Sequence, residues 1–340
     1  MFETQILGRD EKSILYAAEL LKDGEVVGMP TETVYGLAAN AFDEDAVRKI
    51  FAAKGRPADN PLIVHVSETE QIEQLVDSVP ELAYKCAEKF WPGPLTMIMP
   101  KSDKIPMVTS GGLDTVGIRM PSHETARKLI SACGFPLAAP SANLSGSPSP
   151  TTAQHVMDDM NGRIPAIIDG GSCDVGVEST VICFDKDAIR LLRPGFISVE
   201  DLKEVTENVL VDKGVLEKLN ESAKVRSPGM KYKHYAPKAD VTIIKGSLEA
   251  YRNYVKEHGD GDTVCMVFEK SEGEGLGYPI ISYGKTDEEQ AQELFDVLRE
   301  LDKIGAKKVF ARCPRKDGVG LAVYNRLLRA AAFRVVNADE

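Results

Sequence analysis

Apolar residues in this chain come in short runs, and Pro, Gly or a hydroxyl residue closes most of them. "EVVGM" (25–29), "LIVHV" (62–66), "LTMIMP" (95–100), "TVGIRMP" (115–121) and "FPLAAP" (135–140) are of this kind. Runs this short, bounded by turn formers, predict buried strands. Stretches of helical period lie between them. "DEDAVRKIFAAKG" (43–55) puts Ala46, Val47, Ile50 and Phe51 on one face. Asp43 is placed to cap that helix, Gly55 to end it, and Pro57 forbids its continuation. "SHETARKLISACG" (122–134) predicts a second helix, capped by Ser122 and ended by Gly134. "STVICF" (179–184) and "AIRLLRPG" (188–195) predict two strands joined by a turn. Residues 1 to about 205 therefore read as one mixed α/β unit.

The pattern breaks at "VRSPGMKYKHYAPKAD" (225–240), which has Pro, Gly, Tyr and cations but no periodicity. It reads as a partly extended linker. Beyond it, "VTIIKG" (241–246), "TVCMVF" (263–268), "PIISYG" (279–284) and "KVFARC" (308–313) alternate with helical stretches near 247–258, 286–304 and 318–332. That alternation predicts a small, parallel, doubly wound sheet. A length of 340 residues also favours two domains over one core.

Several function classes are excluded. No G-x-G-x-x-G, G-x-S-x-G or H-E-x-x-H occurs, which removes the commonest dinucleotide, hydrolase and zinc-protease frameworks. "YGKT" (283–286) ends like a phosphate-binding P-loop, but Pro279 stands where its first Gly belongs. The six cysteines are scattered singly without a C-x-x-C, and predict reduced, mostly buried thiols. No apolar stretch is long enough to span a bilayer, and the first residues lack a secretory layout, so a cytoplasmic protein is expected. A net charge of -11 argues against a whole-surface grip on nucleic acid and leaves only local cationic clusters to consider.

Four features stand out. "PTETVYGLAANA" (30–41) follows a strand and packs Thr31, Glu32, Thr33 and Tyr35 close together; a capped turn and a binding site explain it equally well. "KGRPADNPLIVHV" (54–66) brackets Gly55 with Lys54 and Arg56. Cations at a helix C-terminus are explained by the dipole alone, at about 0.3–1 kcal/mol each. A stiff turn carrying Lys54, Arg56 and Asn60 also presents donors suited to phosphate. His65 alternates with apolar neighbours, which by itself reads as a packed core histidine. "APSANLSGSPSP" (139–150) offers Ser141, Asn143, Ser149 and flexible backbone after another strand, as anion loops and plain surface loops both do. Arg119, Ser179 and Arg193 sit at further strand ends.

Taken in order, "PTETVYGL", "KGR" with "NPLIVH", "WPGPLT", "GIRMP", "PSANLSG", "STV" and "LLRPG" resemble the YrdC-like domain. With "SPGMKYKHYAP" and the segment after it, the chain resembles the long, two-domain threonylcarbamoyl-AMP synthases over essentially its whole length. Leu144, inserted in the S-A-N–S-G run, is a small departure. The resemblance implies a twisted mixed α/β catalytic domain with a concave pocket over 1–208, a linker covering the site over 209–239, and a Rossmann-like domain over 240–340. It implies that L-threonine, bicarbonate or CO2, and ATP become threonylcarbamoyl-AMP and pyrophosphate. The product would go to a transferase complex that modifies ANN-decoding tRNAs. Lys54, Arg56, Ser141 and Asn143 match the family's paired catalytic signature. ATP would be held by Arg56, Asn60, Thr115, Ser141, Ser149, Arg193, His234 and Tyr235. Threonine would be held by Thr33, His65, Arg119, Ala139 and Ser179. Mg2+ would arrive with ATP, with no metal held by protein side chains. Glu32 is a candidate base by proximity. Weak contact with tRNA or double-stranded RNA and no membrane partner are expected alongside the small-molecule substrates; the rival reading is a double-stranded RNA-binding module. A zinc-dependent carbamoyltransferase of the hydrogenase-maturation type is disfavoured, because its cysteine-rich motifs are missing.

Overall fold

The computed structural model describes residues 2–58, 60–217 and 235–339. These form two compact units, residues 2–145 with 149–217, and residues 146–148 with 235–339. His234 and most of the 225–240 segment lie outside the described residues.

The first unit runs β1 (Gln5–Leu7), α1 (Glu11–Lys22), β2 (Val27–Met29), β3 (Gly36–Asn40), α2 (Glu44–Lys54), β4 (Ile63–His65), α3 (Glu81–Phe90), β5 (Leu95–Pro100), β6 (Thr115–Arg119), α4 (Glu124–Cys133), β7 (Leu137–Ala138), α5 (Ala153–Met160), β8 (Ala166–Ile168), β9 (Thr180–Asp185), β10 (Ala188–Arg193), α6 (Val199–Lys203) and β11 (Val209–Val211). All eleven strands join one mixed sheet in the order β1-β8-β2-β3-β7-β4-β6-β5-β9-β10-β11. Each apolar run of the sequence became a strand of it. β9 and β10 pair antiparallel, as the turn between them requires. β11 lies inside the segment expected as linker and pairs in parallel with β10.

Two apolar layers cover this sheet. Ile14, Ala17, Ala18 and Leu21 of α1 meet Ala126, Leu129 and Ile130 of α4 over Val27, Met29 and Leu137. On the other side α2 buries Ala46, Val47, Ile50 and Phe51 with Val156 and Met160 of α5. The α2 ends are as the sequence requires. Asp43 accepts hydrogen bonds from the Asp45 and Ala46 amides, and Gly55 closes the helix in the left-handed conformation at φ 62°. At α4 the start shifts by one residue. His123 holds the cap position without a side-chain bond, and Ser122 lies before it. Gly134 ends it in the left-handed conformation, as expected.

The second unit comprises β12 (Asp240–Lys245), α7 (Leu248–His258), β13 (Thr263–Val267), β14 (Ile280–Ser282), α8 (Asp287–Lys303), β15 (Lys308–Arg312), α9 (Gly320–Ala330) and β16 (Val335–Asn337). Every strand pair is parallel, in the order β14-β13-β15-β12-β16. The Gly-Lys-Thr tail starts a helix: Thr286 caps α8 in a capping box with Glu289. All six cysteines are free thiols, four of them buried. Among the described residues no helix is long and apolar enough to cross a membrane.

Candidate active site

Register builds the first part of the site. β4 and β6 are parallel neighbours with His65 opposite Arg119, so both side chains leave the same face of the sheet. Ala139, just past β7, donates its amide to Ile63 of β4 at 2.9 Å. The hydroxyl-rich segment 30–35 comes against the end of β6. Arg119 Nη1 donates to Thr33 Oγ1 at 2.9 Å, and Nη2 lies 2.7 Å from Glu32 Oε1. Arg119 is 4% exposed and Glu32 5%, so this is a dry ion pair. Thr31 Oγ1 lies 3.0 Å from Thr33 Oγ1 and donates to the Val34 carbonyl, which fixes the turn.

Burial sets the electrostatics here. Loss of water, reinforced by the Arg119 charge, pushes His65 down to about 3, so its imidazole is neutral. Its Nδ1 is buried and lacks a hydrogen-bond partner among the described residues. For Glu32, burial raises the carboxyl pKa, but the attraction of Arg119 outweighs it and the net shift is downward. Among the described residues, neither Glu32 oxygen has a hydrogen-bonding partner of good geometry. Buried polar atoms without partners are rare, and their clustering marks a place where a ligand completes the bonding.

Arg193 and Ser179 form the second part. Arg193 donates from Nε to the Ser179 carbonyl and from Nη2 to Ser179 Oγ, both at 3.1 Å. Ser179 Oγ also lies 2.8 Å from Thr96 Oγ1 of β5. Gly195 makes this approach feasible: a Cβ there would sit 2.2 Å from the Thr180 nitrogen. Ser149 is fully buried and donates to Glu178 Oε1 at 2.5 Å. Thr115 lines a small cavity of about 10 Å³ with Thr96, Pro61 and Gly117. Asn60 is 1% exposed, and neither atom of its amide has a partner among the described residues.

The third part joins the end of α2 to the loop after β7. Lys54 is buried and donates its ammonium to the Ser141 and Asn143 carbonyls, the latter at 2.8 Å. Ser145 returns a backbone bond to the Lys54 carbonyl at 3.0 Å. Burial, then the neighbouring Arg56 charge, drives the Lys54 pKa well below its ordinary value. The first unit thus places Thr33 on Arg119, His65 beside Arg119, Ser179 on Arg193, and Lys54 on the 141–145 turn. Tyr235 belongs to the second unit, where its ring packs 5.2 Å from Phe295. Glu178 and Thr96 were not singled out in the sequence. Glu178 directly precedes Ser179 in "DVGVESTV", and Thr96 is the one polar residue of its apolar run. Among the described residues, no three His, Cys, Asp or Glu side chains converge as a metal cage.

Comparison with known proteins agrees with this architecture. Residues 19–195 match a family described as "Telomere recombination", which groups Sua5, YciO and YrdC. Residues 197–332 match the C-terminal domain of threonylcarbamoyl-AMP synthase. The threonylcarbamoyl-AMP synthase of Pyrococcus abyssi is 45% identical over 336 residues, covering 96% of each chain. That of Bacillus subtilis is 46% identical over 338 residues, covering 98% of this chain and 97% of the relative. The crystal structure of Pyrococcus abyssi Sua5 complexed with L-threonine superposes with a TM-score of 0.92 at 44% identity, covering 98% of this chain and 99% of that one. Identity of this order over nearly the full length, on the same fold, establishes that the chain belongs to the threonylcarbamoyl-AMP synthase family.

Proposed function

We propose that this chain is an L-threonylcarbamoyladenylate synthase that converts L-threonine, bicarbonate or CO2, and ATP into threonylcarbamoyl-AMP and pyrophosphate. The observation that carries this reading is the cluster of buried, incompletely bonded polar groups around Arg119, in a chain related end to end to proteins of that name. Threonine's amine first forms a C–N bond to CO2 and becomes a carbamate with release of a proton, or condenses with bicarbonate with loss of water. A carbamate oxygen then attacks the α-phosphorus of ATP, and pyrophosphate leaves. No enzyme nucleophile is required, so catalysis rests on positioning and charge stabilisation.

The site residues then take these roles. Arg119, braced by Glu32 and Thr33, meets the threonine carboxylate with the second N–H of each Nη. Neutral His65, Ser179 and the Ala139 backbone complete the amino-acid site. Arg56 carries charge to the triphosphate. Asn60, Thr115, Ser141, Ser149 and Arg193 bound the nucleotide, and Asn143 completes the signature loop. A divalent cation, taken as Mg2+, would arrive with ATP and offset the charge of its phosphates. Residues 1–208 form the catalytic unit and 240–340 the Rossmann-like one. The product feeds a transferase that modifies tRNA, which places the activity in the cytoplasm. The test is pyrophosphate release with threonine and bicarbonate each supplied or withheld, and the product weighed by mass spectrometry. Release that depends on both, with an adduct of threonylcarbamoyl-AMP mass, is expected. Release without threonine, or RNA binding that falls steeply with salt and no turnover, overturns the reading.

A further inference from the structure

Lys54 belongs to the cationic cluster that the sequence suggests for phosphate, yet its bonds run inward. Two of the three ammonium donors are engaged by backbone carbonyls, those of Ser141 and Asn143. These partners lie 87 and 89 residues away along the chain. The Lys54 carbonyl in turn accepts the Ser145 amide. One residue at the end of α2 therefore makes three bonds to a single five-residue turn. The side chain is 3% exposed, whereas Arg56, two residues on, is partly exposed. A buried ammonium with two carbonyl acceptors is a tether, and a group that reaches phosphate from bulk solvent would not be buried this way.

We propose that Lys54 is a positioning residue: it fixes the Ser141–Asn143 turn against the end of α2 and acts on the nucleotide through that turn, without itself touching phosphate. The inference rests on the ATP reading above and gives the two halves of the paired signature different work. Arg56 and Ser141 face the ligand, and Lys54 sets the distance between them. The turn is anchored elsewhere by the bridge of Ser141 with Gly36 and by the Ala142 amide on the Tyr35 carbonyl at 2.8 Å, and the three Lys54 bonds are what join it to the end of α2.

The test is a double-mutant cycle of Lys54→Met and Ser141→Ala on the full chain. It is read as KM for ATP, KM for threonine, and equilibrium binding of β,γ-imido-ATP. Lys54→Met should weaken ATP about 10-fold or more while leaving KM for threonine within about 2-fold. The double variant should bind the analogue no more weakly than the poorer single variant, because both act through one loop. Additive losses mean that Lys54 meets the nucleotide independently, and overturn the proposal. Equal losses for ATP and threonine mean a merely structural role, and also overturn it. A crystal structure of the wild-type protein with the analogue decides the matter even if Lys54→Met does not fold. Lys54 Nζ should stay on the Ser141 and Asn143 carbonyls, and a direct contact with a phosphate oxygen sinks the idea. Wild-type protein that fails to bind the analogue removes the ATP reading itself, and this inference with it.

Discussion

Replacing Glu32 by Gln tests the central electrostatic feature of the first unit. The Glu32–Arg119 pair closes at 2.7 Å, with the two side chains 6% and 4% exposed. Gln is nearly isosteric and leaves the Arg119 guanidinium buried without its counter-charge. Removing one partner of a buried pair costs about 3–5 kcal/mol, because the surviving charge stays desolvated. That is a large share of the roughly 5–15 kcal/mol that holds a typical domain together. With a urea slope of about 1–3 kcal/mol per molar, the unfolding midpoint should fall by about 1–5 M. Trp91 is the only tryptophan, is 8% exposed and lies in the first unit, so its fluorescence reports that unit alone. This matters because a two-unit chain need not unfold in one step. The pH dependence has a definite sign. The folded state holds Glu32 below its ordinary value of 4.5. The pair's contribution is therefore complete above that value and is lost as pH falls through the lower, folded value. The gap between wild type and Glu32→Gln should be full at pH 7 and shrink in acid. A midpoint shift under about 0.3 M at pH 7 would refute the claim that the pair is dry. Replacing both partners by apolar residues should recover most of the loss, since only the unpaired charge is expensive.

Three further outcomes follow from the same geometry. His65 is held neutral down to about 3 against an ordinary 6.5, so the unfolded chain takes up a proton that the folded one refuses. Between those values, falling pH should cost wild type about 1.4 kcal/mol per unit more than His65→Asn, and parallel curves would disprove it. Gly195→Ala drives a Cβ to 2.2 Å from the Thr180 nitrogen, so Arg193 should be pushed off Ser179. Stability should drop by about 1–3 kcal/mol and ATP turnover with it; a variant that melts like wild type would contradict the close approach. Arg56→Ala should raise KM for ATP by about 10-fold or more, yet move the Trp91-reported midpoint by no more than about 0.5 kcal/mol. If the protein instead unfolds, Arg56 serves the helix end and not the ligand.

Most elements were legible in the chain because their causes are local. Asp43 and Gly55 fix both ends of α2 with no help from distant residues. The parallel second sheet follows from strands separated by helices, since parallel neighbours require crossovers. β3 was harder to see. "GLAAN" has small residues and no alternation, and it becomes a strand only because β2 and β7 pair with both its edges. α1 and α5 likewise depend on the layers they close. Ser122 does not cap α4, because the chain enters that helix one residue later, with His123 at the cap position.

The candidate site divides along the same line. Its residue types and their order were fixed by the chain itself, and threonine and ATP were suggested through the family resemblance that this order carries. Which groups meet was not. Lys54 and Arg56 look equivalent in "KGR", two cations about one glycine. Only the 141–145 turn, nearly 90 residues away, gives Lys54 carbonyl partners and draws it inside. Glu32 looks like one more polar residue in "PTET" until folding closes Arg119, the last residue of β6, onto it. Local sequence sets helix ends and strand runs, because those need neighbours a few residues apart. Burial, pairing and the charge state of a site depend on residues far along the chain, and the folded structure alone decides them.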